Sequence, residues 1–314
     1  MAALLGASLV FTGCATKQPT VQGPRKVMVV TTTTGFRHSS IPTAEKVLAK
    51  LGQQSGAFTI EYVQQPVQTV KEPRKPKALD ASASEAAKAK YQTELASYDA
   101  DNAKFKEAQK GFMDEMKKTL ERLSPANLKN FDGVIFANTT GDLPIPDREG
   151  FLAWLKSGKA FIGMHACSDT FHGWPAFIKM LGGEFAGHGA QVAVECLNQD
   201  PKHPANANLG PSWKISQEEM YLIKNHDSKE CQELLLLDKH PNKPEQAGQF
   251  PVSWCKSFGQ GKVFYTSLGH REDIWDDETP ADFKRANSKE ISLAYQKHIL
   301  GGIKWALGMA DAKP

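Results

Sequence analysis

The sequence predicts an α/β protein built on a doubly wound, mostly parallel sheet. Three observations predict it. Nearly continuous apolar runs at residues 26–32 (KVMVVTT), 131–138 (FDGVIFAN) and 159–164 (KAFIGM) have the character of strands covered on both faces. Amphipathic segments with helical spacing alternate with them, and a strand–helix repeat implies parallel strands joined by right-handed crossovers. Polar residues, histidines above all, stand where these strands stop, the edge at which open α/β sheets take ligands.

The chain has 314 residues, 40% hydrophobic and 23% charged, an ordinary balance for a globular protein. A formal charge of +3 is too small to argue for nucleic acid or an anionic membrane surface as partner. The first residues are distinctive. Residues 2–11 (AALLGASLVF) are apolar, and Thr12-Gly13 precede Cys14. This is the pattern of a lipoprotein signal whose cysteine is acylated, although the basic stretch that usually opens one is missing; the plain alternative is an apolar tail. The expected organisation is a signal segment at 1–14, a polar tether at 15–25 and one domain at 26–310. It places the protein in the bacterial cell envelope as a periplasm-facing lipoprotein, meeting the membrane through its lipid alone.

The first core strand runs into Gly35-Phe36-Arg37-His38, and a helix follows with Ile41, Ala44, Val47, Leu48 and Leu51 on one face. Residues 58–63 (FTIEYV) form a second strand. Three prolines at 66–76 mark an extended linker. Residues 81–123 are rich in Ala, Glu, Lys and Gln and strongly helical. Within them Tyr91, Leu95, Tyr98, Asn102, Phe105, Gln109, Phe112 and Met116 trace a heptad seam with two polar interruptions. That seam either lies on its own domain or joins two copies in a homo-oligomer. The strand at 131–138 delivers Thr139-Thr140-Gly141-Asp142, and Asp147 caps a helix over 147–157. The strand at 159–164 ends at His165. A helix is expected after Ser168-Asp169, both good N-cap residues, with Trp174, Phe177, Ile178 and Leu181 inward, Pro175 in its first turn and Gly182-Gly183 closing it. Beyond Gly189 the pattern turns to short strands at 191–197, 213–221, 234–237, 252–256 and 262–268, the last delivering His270, before a final helix at 292–307.

Histidine at a strand's carboxyl end is a candidate acid, base or ligand, because its pKa lies near neutrality and its nitrogens donate or accept. One such residue alone is more often structural; His38, His165, His188 and His270 on one rim, with Asp142, Asp169 and Glu219, point to a functional pocket. Imidazole and carboxylate would suit zinc or another divalent ion, with His165, His188 and His270 as candidate ligands, yet no HxH or HExxH signature is present. Phe36, Phe171, Trp174, Trp213 and Tyr221 flank the polar turns, as plates for a sugar or simply as core. Four further cysteines, Cys167, Cys196, Cys231 and Cys255, fit no zinc spacing and read as structural or free thiols. Cys167, two residues after His165, is the one candidate nucleophile.

The blocks GFRHSSIP (35–42), FANTTGD (136–142), FIGMHACSDTFHGWPAF (161–177), LGGEFAGHG (181–189), PVSWCKSFGQGKVFYTSLGH (251–270) and QKHILGGIKWALG (296–308) resemble, in order, those of the ThuA-like (trehalose utilisation) family of the class I glutamine-amidotransferase-like superfamily. The resemblance implies a flavodoxin-like α/β sandwich, with about 66–111 as a helical insertion, and a link to trehalose-type or 3-keto-disaccharide metabolism. It aligns His38, Asp142, His165, His188 and His270 with the family's polar positions, and loosely Glu218-Glu219 with its acidic–aromatic pair before Tyr221. Amidotransferases carry a cysteine at the strand-to-helix elbow; here His165 holds that place, which argues against glutamine hydrolysis.

The expected protein is an enzyme acting on a glycoside or keto-sugar. His165 is the central acid/base, His38 or His270 its partner, and Asp142 completes the catalytic set. Arg37, Thr140, Asp169, Trp174, His188, Glu219 and Tyr221 would bind substrate. The alternative is a non-catalytic sugar-binding lipoprotein serving neighbouring enzymes.

Overall fold

A computed structural model describes residues 23–279 and 282–310. The expected acylation site Cys14, with the signal segment and most of the tether, lies outside the described residues. Arg25, the last residue of the expected tether, opens the first strand.

The elements run β1 (Arg25–Val30), α1 (Ile41–Ser55), β2 (Phe58–Val63), α2 (Glu85–Leu120), α3 (Pro125–Leu128), β3 (Gly133–Ala137), α4 (Arg148–Lys156), β4 (Ala160–Met164), α5 (Pro175–Leu181), β5 (Glu184–His188), β6 (Val192–Asn198), β7 (Ser212–Glu218), β8 (Tyr221–Lys224), β9 (Gln232–His240), β10 (Lys243–Phe258), β11 (Gly261–Thr266), α6 (Glu272–Trp275) and α7 (Lys289–Ala306). Nine strands form one sheet in the order β2-β1-β3-β4-β11-β10-β9-β6-β7, and β5 pairs with β8 in a small second sheet. From β2 to β11 neighbouring strands are parallel; from β11 outward to β7 they are antiparallel.

The parallel half explains the continuous apolar runs. Side chains alternate between faces along a strand, and here both faces are covered. Val27, Val29, Ile135, Ile162 and Met164 enter a core shared with α1, α6 and α7. Met28, Val30, Val134, Phe136 and Phe161 enter the opposite core, under the end of α2 with α4 and α5. Helices on both sides of one sheet make the fold doubly wound, as expected.

Several elements differ from the sequence reading for identifiable reasons. The helix expected after Ser168-Asp169 starts only at Pro175, with Trp174 at its N-cap, because His165–Asp169 close a 3-10 turn first. Gly182 then ends α5 in the left-handed conformation. The short strands expected at 234–237 and 252–256 extend into one long hairpin, β9–β10, whose tip carries polar residues that give no strand signal. The seam of α2 is buried only at Phe112 and Met116, joined by Leu120; Tyr91, Leu95, Tyr98 and Phe105 stay half-exposed. The linker runs beside that helix, with Gln68 Nε2 donating to Gln109 Oε1 at 3.0 Å. Arg122 ties the helix end back to β2 through the Tyr62 carbonyl at 2.8 Å and through Glu61. No helix of the described residues is long and apolar enough to cross a membrane.

Candidate active site at the carboxyl mouth of the sheet

The site begins with the backbone. β4 stops at Met164, and His165 takes the left-handed conformation at φ 47°, turning its ring out of the strand line. Histidine tolerates this region better than a β-branched residue would. Tyr265 Oη stands 2.8 Å from both the His165 carbonyl and Ser168 Oγ and holds the elbow in place. A second buried network ties the neighbouring strand ends together. Asn138 Nδ2 donates to Ser40 Oγ at 2.8 Å and to the Gly269 carbonyl at 3.1 Å. Trp275 Nε1 donates to the same carbonyl at 2.8 Å. Gly269 has φ 126°, and a Cβ there would come within 2.9 Å of Tyr295 Oη, so the turn that aims His270 needs glycine.

His38, from the turn after β1, and His270, from the turn after β11, meet His165 over this mouth. His165 Nδ1 donates to the Ser267 carbonyl at 2.8 Å. A carbonyl only accepts, so the neutral ring keeps a lone pair on Nε2. That nitrogen lies 3.2 Å from His38 Nε2 and 3.7 Å from Glu219 Oε2. Glu219, in the link between β7 and β8, also stands 3.1 Å from His270 Nδ1 and 3.1 Å from His188 Nδ1, neither with hydrogen-bond alignment, and His188 Nδ1 donates instead to the Gly189 carbonyl at 2.9 Å. His38 Nδ1 is buried with no partner. One ligand-type atom from each of His38, His165, Glu219 and His270 falls within 4.8 Å of every other. The Tyr221 ring lies 4.3 Å from that of His165. Phe36, 67% exposed, stands edge-on to His38 at the rim.

Electrostatics sorts these groups. Burial, reinforced by the charge of His270, pushes His38 down to about 4. Burial and its two histidine neighbours hold His165 well below the ordinary imidazole range. Burial also works against charge on His270, but the Glu219 carboxylate outweighs it and leaves that pKa raised. Behind them burial lifts Glu218 to about 7, while its Oε1 accepts from the backbone N–H groups of Glu219 and His270.

Other expected residues are occupied elsewhere. Asp142 is 66% exposed at its side chain and pairs with Arg148. Arg37 donates to the Thr31 carbonyl at 2.8 Å and to Gln65 at 3.0 Å. Thr140 is buried and donates to the Phe36 carbonyl at 2.8 Å, bracing the rim instead of facing it. Trp174 packs on Phe171 and Phe177 beneath the Arg148 guanidinium. His188 lies outside the four converging residues, on the far oxygen of Glu219. Cys167 is wholly buried and burial raises its pKa, so no thiolate is offered. Cys167, Cys196, Cys231 and Cys255 are all free thiols. Asp169 belongs to an arrangement not foreseen: His172 is held between Asp169 Oδ1 at 2.7 Å and Glu184 Oε2 at 2.6 Å. The i, i+3 spacing of Asp169 and His172 was its one local signal. Of the residues expected to act, His38, His165, His270, His188, Glu219 and Tyr221 come together.

A groove of about 680 Å³ lined by Val194, Ile215, Leu237 and Lys239 lies on the antiparallel half of the sheet. It holds no comparable convergence of acid–base groups, so volume does not choose the site.

Comparison with solved structures gives the same architecture. A ThuA-like protein from Parabacteroides merdae superposes with a TM-score of 0.58 at 15% identity, over 93% of this chain and 92% of that one. One from Bacteroides uniformis superposes at 0.53 with 16% identity, over 93% and 95%. No curated protein matches the chain in sequence. The family profile described as trehalose utilisation matches residues 26–286. With that match spanning all four converging residues, the chain belongs to the ThuA family, and so to a family whose description implies a role in carbohydrate metabolism.

Proposed function

We propose that the protein is an enzyme of carbohydrate metabolism acting on a glycoside or keto-sugar by histidine acid/base chemistry. One observation carries the reading: His38, His165, His270 and Glu219 come from four separate turns yet meet within 4.8 Å. The chemistry follows from that geometry. A ketone beside a carbon acidifies its C–H bond enough for a neutral imidazole to remove the proton. A second imidazole, held charged by a carboxylate, protonates the departing oxygen. His38 and His165 stand as the neutral pair and His270 on Glu219 as the charged one, the separation of roles that an acid and a base require. Phe36 and Tyr221 offer apolar faces to a sugar ring, and His188 extends the polar rim. An acyl chain on Cys14 would hold this mouth at an envelope surface.

The test is turnover of a 3-keto-glycoside. His165→Ala is expected to abolish turnover while substrate binding stays within about tenfold. A wild-type protein that binds the keto-glycoside and never converts it would instead make this a sugar-binding module.

A further inference from the structure

We infer that His38, His165, His270 and Glu219 form a binding site for one divalent metal ion of the zinc type. The inference rests on the same mouth as the proposed function and names the cofactor that would work there. Three distances carry it. Ligands bound at 2.0–2.1 Å to a tetrahedral zinc ion stand about 3.3–3.4 Å apart along the edges of the tetrahedron. His165 Nε2 and His38 Nε2 are 3.2 Å apart, His270 Nδ1 and Glu219 Oε2 3.1 Å, and His165 Nε2 and Glu219 Oε2 3.7 Å. Three imidazoles and one carboxylate are donors that zinc accepts readily.

Hydrogen bonding points the same way. Ligating histidines characteristically donate their other ring N–H to a carbonyl, which fixes the tautomer. His165 does so to Ser267 at 2.8 Å, leaving its Nε2 lone pair aimed into the cluster. His270 Nδ1 is close to Glu219 but out of alignment with it, and buried with no hydrogen-bond partner. His38 Nε2 donates to His165 Nε2 at 3.2 Å, and a bound cation would take the place of that proton while pairing the unaligned His270 Nδ1 and Glu219 Oε2. The outer oxygen of Glu219 faces His188, with Oε1 3.1 Å from its Nδ1. Once the cluster holds a cation, its imidazoles are ligands, and proton transfer passes to His188 at the rim.

The experiment uses the full chain stripped with a chelator, then titrated with Zn²⁺ alone by calorimetry and with Co²⁺ alone by visible absorption. One equivalent should bind, and Co²⁺ should give the intense bands of a four-coordinate nitrogen-rich site. His165→Ala and His270→Ala should each weaken Zn²⁺ binding by at least about 100-fold, more than outer partners of a metal site cost. His172→Gln, outside the cluster, should leave it unchanged. If a ligand variant fails to fold, the wild-type Co²⁺ spectrum still decides. Absence of a stoichiometric site, octahedral-type Co²⁺ bands, or Zn²⁺ binding undiminished in both alanine variants would overturn the inference. Stripped protein that binds no stoichiometric Zn²⁺ yet converts a keto-glycoside would overturn the metal site and leave the proposed function standing. A tight site in a protein that converts no keto-glycoside would do the reverse.

Discussion

Two groups of buried histidines occur in this molecule, and burial alone does not separate them. His38 and His165 at the mouth are 5% and 0% exposed; His203 and His298, beside β9 and α7, are both 0% exposed. Burial pushes all four pKa values down, His203 to about 4 and His298 to about 3. Their partners differ. His298 Nδ1 donates to the Ala205 carbonyl at 3.1 Å, and its ring packs near Phe264 and Trp213. His203 Nδ1 accepts from Ala205 N–H at 3.2 Å, with Cys255 Sγ 3.7 Å from its other nitrogen. These rings serve the chain that surrounds them. At the mouth the nitrogens face one another and a shared carboxylate. A perturbed histidine is thus a common by-product of packing, whereas several histidines aimed at one point indicate chemistry.

The sharpest way to break the comparison is to change one residue from each group. Glu219→Gln keeps the shape at the mouth and removes its charge; keto-glycoside kcat/KM should fall by about 10²–10⁴, the usual weight of acid/base assistance. His298→Leu should leave kcat/KM essentially unchanged and lower stability by about 1–3 kcal/mol, since it strips the buried Ala205 carbonyl of its donor. Urea unfolding and steady-state kinetics on both variants decide this. Equal loss of activity in both would erase the distinction.

A smaller effect is expected at the support of the mouth. Gly269→Ala places a Cβ against Tyr295 Oη and Trp275 in a left-handed backbone. It should cost about 1–3 kcal/mol by urea unfolding, in the range of overpacking, and reduce turnover through the displaced His270.

The smallest effect concerns His172. Burial lowers its pKa, but hydrogen bonds and charges from Asp169 and Glu184 raise it on balance above its ordinary value. A raised folded-state pKa makes the stabilisation complete below the unfolded value of about 6.5 and loses it as pH rises through the folded value. Wild type should therefore exceed His172→Gln in stability near pH 5.5, and the gap should close on the alkaline side. The ring is 42% exposed, so the gap will be small. A gap that widens with pH would reverse the assignment.

Much of this was legible in the sequence for a local reason. Val27 to Val30 and Phe161 to Met164 are apolar at every position but Gly163, and only strands covered on both sides satisfy that pattern. Residues 58–63 match β2 to the residue, and the strand expected at 159–164 matches β4 but for its first residue. His38, His165 and His270 follow such strands and had to emerge on one edge. Arg37, Asp142 and Thr140 stand at the same edge, but one intervening turn decides where a long or exposed side chain goes. Gln65, Arg148 and the Phe36 carbonyl took them. Ser168 and Asp169 carry the right chemistry for a helix cap, yet Tyr265, a hundred positions away, and His172 claim their side chains.

By itself the sequence determined the layered α/β plan and the placing of several histidines at the carboxyl edge of the sheet. Periodicity and strand-end position are properties of neighbouring residues, and they survive without knowledge of the fold. Tertiary structure alone decided that Glu219 joins three histidines while His188 stands behind it, and that Asp142 does not take part. Those outcomes depend on which ring nitrogens and carboxylate oxygens come within 4.8 Å once distant chain segments, such as those of His38 and His270, have closed. No local spacing encodes that meeting, because each partner is set by a different strand.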